Sequence, residues 1–441
     1  MQKIFYIIQL LFLSVSIVQA QDDVYPAPAQ KGIMYIKNAT IHVGNGQVIS
    51  NGIIKIQDGK ITEVGTNVTI PSGDIKIIDA KGKQVYPGLI LPVTDLGLKE
   101  IANAIRGSND YNELGDWNSN IRSIVAYNSD SKIINTLKAN GILLANVAPT
   151  GSLIAGSSTV VQLDAWNWED ASYKADDGMH LYMPSLLARP GGRFGGLAGI
   201  LASQQPQTDP VKEALSKIEE VRKFLREAKS YIQENSHPAT NIKFEGVRPL
   251  FEKKQKLFVH CNQVKQMMVA IDFVKEFGID VVIVGGSDSW QIADLLKQNN
   301  VAVVLSREHN LPTTDDDDID QPFKTPAALQ KAGVLFALND DFEETRYRNL
   351  TFNAGTAAAY GLSKEEALQS ITLNAAKILG IDDRTGSIEV GKDANIIISE
   401  GDILDMRTSI VTDAFIQGRK VSLENKQTQL YERYRNKYGI K

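Results

Sequence analysis

Leu257-Phe258-Val259-His260-Cys261 is a short apolar run, residues 263–277 follow it with apolar side chains at helical spacing, and Val281-Val282-Ile283-Val284-Gly285 is a second run of the same kind. A run this short and this apolar does not alternate, so it reads as a strand covered on both faces, and a helix between two such runs makes a parallel β–α–β unit. Further runs stand at 142–147, 159–163, 302–306 and 335–339, with another helical segment at 289–297. About seven or eight such units fit between Pro87 and Gly380, which predicts a (β/α)8 barrel of the TIM type over residues 87–384.

The texture differs on both sides of that region. Residues 34–78 read as short alternating strands broken by Gly44-Asn45-Gly46, Asn51-Gly52 and Asp58-Gly59. Asp-Gly readily takes the positive φ values of a type I′ turn, so Ile53 to Ile61 predicts a hairpin. Strand-and-turn texture returns at 386–398 and 415–421. The expected architecture is therefore α/β: the barrel plus a small β-sandwich assembled from both chain ends, residues 33–86 and 385–424, with 425–441 as a tail. Within the barrel region the Pro190-Gly191-Gly192-Arg193-Phe194-Gly195-Gly196 loop precedes Asp209-Pro210, a cap and first residue for a long helix. Val211, Leu215, Ile218, Val221 and Leu225 would form its apolar face.

The chain has 441 residues, 43% of them hydrophobic and 22% charged, enough for one large domain and a small companion. Lys and Arg number 47 against 52 Asp and Glu, and no basic run occurs. That balance argues against nucleic acid and leaves a small-molecule ligand as the expected partner. Cys261 is the single cysteine, so no intrachain disulfide can form. Met1-Gln2-Lys3, an apolar stretch over 4–18 and Gln19-Ala20-Gln21 read as a signal peptide of residues 1–20, cut after Ala20. An exported chain, periplasmic or secreted and without a membrane anchor after cleavage, is the corresponding expectation.

Two long stretches carry a family resemblance. One is Ile77-Ile78-Asp79-Ala80-Lys81-Gly82-Lys83 with Val85-Tyr86-Pro87-Gly88-Leu89-Ile90; the other is Thr372-Leu373-Asn374-Ala375-Ala376-Lys377-Ile378-Leu379-Gly380 with residues 386–398. Both resemble the metal-dependent amidohydrolases. Ile283-Val284-Gly285-Gly286-Ser287, Thr325-Pro326-Ala327-Ala328-Leu329 and residues 357–363 are similar to the imidazolonepropionase-like group within them.

The resemblance implies a divalent metal held by histidines and carboxylates at strand ends, where it polarises a carbonyl and ionises water. It also implies an Asp-x-His-x-His on the first barrel strand. That motif falls on Leu91-Pro92-Val93-Thr94-Asp95, where only Asp95 offers a ligand atom. His260 stands where the family places its fifth-strand histidine, and Gly285 occupies the sixth-strand histidine position. Asp340 or Asp341 matches the aspartate that shuttles protons. The expected site is thus degenerate: Asp340 and Asp341 as catalytic candidates, His260 and Asp95 as metal candidates, and at most one divalent ion such as zinc. Asp164 and His309 are further strand-end candidates, whereas His42, His180 and His237 are placed away from the strand ends. The acidic run Asp315-Asp316-Asp317-Asp318 reads as a solvated loop. Arg346, Arg348 and Asn349 are candidate contacts for a polar ligand.

Two functions remain open at this point. One is a hydrolase of non-peptide C–N bonds, with His260 as ligand or electrophile and Asp340 or Asp341 as general base. The other is a non-catalytic amidohydrolase-like protein that binds a small molecule or partners an intact amidohydrolase; a homo-oligomer is a further partner expectation.

Overall fold

The computed structural model describes residues 24–73, 75–100, 109–151, 153–187, 209–234, 236–306, 308–340 and 346–440. Residues 1–20, expected to be a signal peptide, the Arg193-Phe194 loop and Asp341 lie outside the described residues.

Five strands open the chain: β1 (Ile33–His42), β2 (Val48–Gln57), β3 (Lys60–Gly65), β4 (Lys76–Asp79) and β5 (Gln84–Pro87). β2 and β3 form the expected hairpin, with Asp58 at φ +47° and Gly59 at φ +83° supplying the turn. The barrel strands follow: β6 (Leu89–Thr94), β7 (Ile142–Val147), β8 (Ile154–Gln162), β9 (Ser172–Tyr182), β10 (Lys256–Cys261), β11 (Val281–Gly285), β12 (Ala302–Leu305) and β13 (Phe336–Leu338). Last come β14 (Ile396–Ser399), β15 (Val411–Ile416) and β16 (Arg419–Val421).

Strands β6 to β13 make one eight-stranded sheet in sequence order. Asn339 Nδ2 donates to Val93 O at 2.9 Å, so the ends of the first and last strands of this barrel meet through a side chain. Its strands are buried along nearly their whole length, because helices cover the outer face.

One strand departs from the (β/α)8 expectation. β8 runs antiparallel to both β7 and β9, while the other seven are parallel. Residues 148–153 are too few to carry a crossover helix, and a parallel return needs about a dozen residues or more. The chain turns back directly instead.

The remaining strands pair in the order β16-β15-β14-β5-β1-β2-β3, with β4 also on β1, so both chain ends enter a single hydrogen-bonded sheet. The sequence reading anticipated two packed sheets; the β5–β14 and β1–β5 ladders instead link all of these strands into one. Met34, Ile36, Ile41, Ile54, Ile56, Ile396, Ile398 and Phe415 fill its core. His42 ties this unit to the barrel: its Nδ1 lies 2.6 Å from Glu365 and its Nε2 3.0 Å from Gln84.

The long helix runs Pro210–Gln233, and Asp209 caps it by accepting from Val211 N at 3.0 Å. Its buried stripe is Ala214, Ile218, Val221, Leu225 and Ala228. Leu215, expected on that face, is half exposed.

Candidate functional site

In a barrel of parallel strands the strand C-termini surround one mouth, and loops leaving that mouth carry the chemistry. Here the mouth receives Asp95 after β6, His180 and Tyr182 from β9, His260 from β10, Gly285 at the end of β11, Ser306 and Glu308 after β12, and Asn339 and Asp340 after β13. Asp164 does not reach it. Because β8 is antiparallel, Gln162 sits beside Leu144 and Leu163 bonds Leu143 O, so Asp164 emerges at the opposite end. There it accepts from Lys138 Nζ (2.9 Å), Arg419 Nη1 (3.0 Å) and Ala27 N (2.8 Å), fully buried. It is a structural ion cluster.

His260 and His180 face each other. His180 Nδ1 lies 2.8 Å from His260 Nε2, and the Tyr182 ring stacks on His260 with centroids 3.9 Å apart. Register explains the pairing: β9 and β10 align Phe258 with His180 and His260 with Tyr182, so residues two apart share the inner face. The sequence reading placed His180 away from the strand ends, whereas the structure puts it within β9 at the barrel mouth. Burial pushes His260 down to about 3 and holds His180 well below its ordinary range, so both rings are neutral. Whichever ring donates, the Nε2 of His260 is hydrogen-bonded to its neighbour.

Gly285 is more than a missing ligand. Its φ is +102°, and a Cβ there would stand 2.5 Å from Asn262 Oδ1 and 2.9 Å from Cys261 O. Asn262 Oδ1 accepts from Ser287 Oγ at 3.0 Å, which fixes the turn that excludes a side chain. Restoring histidine by Gly285→His is expected to cost about 2–4 kcal/mol through backbone strain and overpacking. Denaturant unfolding measures the loss, and zinc analysis of the variant should find no gain in bound metal. Among the described residues the donor set does not make up the metal centre that the fold family implies. Among the described residues no three His, Cys, Asp or Glu side chains converge as a cage.

Asp95 accepts a short hydrogen bond from the Tyr347 hydroxyl. It thereby joins the end of the first barrel strand to the segment after the eighth, which carries Arg346 and Asn349. Asp340 is 3% exposed, and Asn353 Nδ2 donates to its Oδ2 at 3.3 Å. With His309, Arg346, Asn349, Phe352, Asn353 and Met406 it lines a cleft of about 260 Å³. His260 lines a different one, with Tyr182, Asn262 and Ser306. The structure therefore gathers His309, Arg346 and Asn349 around Asp340, and sets His260 with His180.

His309 is exposed, as expected, with Nε2 3.0 Å from Thr356 Oγ1. Cys261 is buried, and burial pushes its thiol up, so it is no nucleophile. Three of the four aspartates of the 315–318 run are exposed and Asp317 is partly so; Asp318 pairs with Lys324. His237 pairs with Glu234 and stacks on Tyr231, remote from the mouth.

Glu308 is the residue that sequence reading missed altogether. It lies three residues past β12 in what reads as a polar loop, yet it is 2% exposed and neither carboxyl oxygen has a hydrogen-bond partner. Burial, with a smaller contribution from Asp340, raises its pKa to about 8.

Residues 203–423, half of the chain, match the family described as Amidohydrolase family. The imidazolonepropionase of Picrophilus torridus is 29% identical over 178 residues, which are 38% of this chain and 42% of that protein. That of Thermoplasma volcanium is 35% identical over 86 residues, 19% of this chain and 21% of the relative. These matches span between about a fifth and two-fifths of the length of those relatives. A crystal structure of an amidohydrolase from Thermotoga maritima superposes with a TM-score of 0.70 at 26% identity, covering 88% of this chain and 99% of that one.

Proposed function

The chain belongs to the amidohydrolase family, and from that premise we propose that it hydrolyses a non-peptide C–N bond in a small molecule, a cyclic amide or a compound of that kind. The observation that carries this reading is Asp340: a buried carboxylate at the end of the eighth strand, oriented by Asn353, and opening onto a cleft that also holds a guanidinium and an imidazole. Asp340 takes the proton of the attacking water as general base. Arg346 and Asn349 offer N–H donors to the carbonyl oxygen on which negative charge develops, and His309 is placed to return a proton to the leaving nitrogen. Asp95 acts at a distance, holding Tyr347 and with it the Arg346 segment. The site is altered from the family's metal-bound form, and no step here runs through a metal. If the export read from residues 1–20 also holds, the substrate is a molecule of the periplasm or the medium.

A panel of lactams, hydantoins and imidazolones incubated with the purified chain tests the reading, before and after exhaustive chelation. Turnover that survives chelation, with less than about 0.1 equivalent of zinc bound, is expected, since a general base and N–H donors carry the step without a metal. Turnover abolished by chelation and restored by zinc counts against the altered site. The His180–His260 contact favours a second reading, a binding protein without turnover; ligand binding with no hydrolysis across the panel is its signature.

A further inference from the structure

Glu308 plays no part in the chemistry assigned to Asp340, yet among the described residues it is the one side chain at the mouth whose whole carboxyl group is buried and unpartnered. A buried carboxyl without a partner costs free energy unless something fills the place of one. It lines a cavity of about 30 Å³ between the ends of β11 and β12, with Ser306, Asp288, Trp290, Asn310 and Asp317 among the walls. That space holds a group of water or ammonium size, since one water needs about 10–15 Å³. No described residue on the wall is a lysine, arginine or histidine. Asp288 is also buried, and burial pushes its carboxyl up as well. A pocket walled by three acids and an indole has the chemistry to receive a cation. A metal ion is a poor fit, because the acids do not converge into a cage among the described residues.

We propose that this cavity is a subsite for a primary ammonium group, so that the ligand of the neighbouring cleft carries an alkylamine arm. Glu308 and His309 are consecutive, and His309 lines the Asp340 cleft, so the two sites are neighbours and the proposed ligand would set its amide against Asp340 and Arg346 and extend its ammonium arm to Glu308. This inference rests on the location of the reacting cleft argued above and adds the substrate class.

Calorimetric titration of the full chain at pH 7 with n-butylammonium chloride, and with n-butanol as the neutral isostere, tests it. Saturable binding of the ammonium and not of the alcohol is expected. Because Glu308 holds its proton near neutrality and must ionise to pair with the cation, binding should release close to one proton, read from the heats in two buffers. Glu308→Gln, which keeps the shape, should weaken butylammonium binding by about 30-fold or more, the scale for removing one partner of a buried charge pair. Asp316→Asn in the exposed run should leave it unchanged. Equal binding of amine and alcohol, an unaffected Glu308→Gln variant, or binding without proton release overturns the subsite. Ammonium binding without turnover of any amide leaves the subsite standing and removes the hydrolase reading, whereas turnover of neutral lactams without ammonium binding does the reverse.

Discussion

Asp340→Asn is expected to lower kcat for C–N hydrolysis by about 10²–10⁴-fold, the usual contribution of a positioned general base, while the chain stays folded. Asparagine has the same shape, so the 3.3 Å contact with Asn353 Nδ2 can be kept by its carbonyl oxygen. What is lost is the lone pair that takes the proton from water. KM should change little, because the substrate contacts assigned to Arg346, Asn349 and His309 are untouched. The neutral amide also removes the negative charge that helps raise Glu308, so the pKa of Glu308 should fall in the variant. Steady-state kinetics beside a thermal melt checks this. A variant within about threefold of the parent would remove Asp340 from the role of base, for a proton-transfer residue contributes well beyond that.

The second large effect belongs to the opposite end of the barrel. Asp164→Ala should destabilise the fold by about 3–5 kcal/mol, the cost of breaking a buried ion pair from one side. Lys138 is 3% exposed and the Arg419 side chain is 11% exposed, so both would be left with buried charge and no counterion. The same carboxylate receives Ala27 N, so the N-terminal segment, the helix Lys132–Ala139 and strand β16 would loosen together. Urea unfolding should show a lower midpoint, and limited proteolysis should cut near residues 24–31 sooner. Replacing Lys138 and Asp164 together by methionine and leucine should recover part of the loss, because a packed apolar pair carries no desolvation cost.

The candidate site was legible in part. Leu91, Val93 and Gly285 mark the first- and sixth-strand positions as unable to bind metal, and that follows from side-chain chemistry alone. Asp340 or Asp341 was singled out by the family resemblance at the end of an apolar run, with no choice between the two. His180 was not, since only the β9–β10 register puts it against His260. Asp164 looked like a strand-end ligand and is a strand-end residue, but of a strand that runs the other way. Glu308 sits between Arg307 and His309 in a polar stretch, and nothing local says that its carboxyl turns inward.

The sequence by itself determined the barrel region and a β-rich unit drawn from both chain ends, the Asp58-Gly59 hairpin and the capped helix from Pro210. Apolar runs, turn dipeptides and caps act within a few residues, so they can be read along the chain. Only the tertiary structure decided the direction of β8, the His180–His260 contact, the sealing of Asp164 by Lys138 and Arg419, and the burial of Glu308. Those depend on which strands become neighbours and how short loops force the chain to return. The energy of a buried polar group is set by partners far away in sequence.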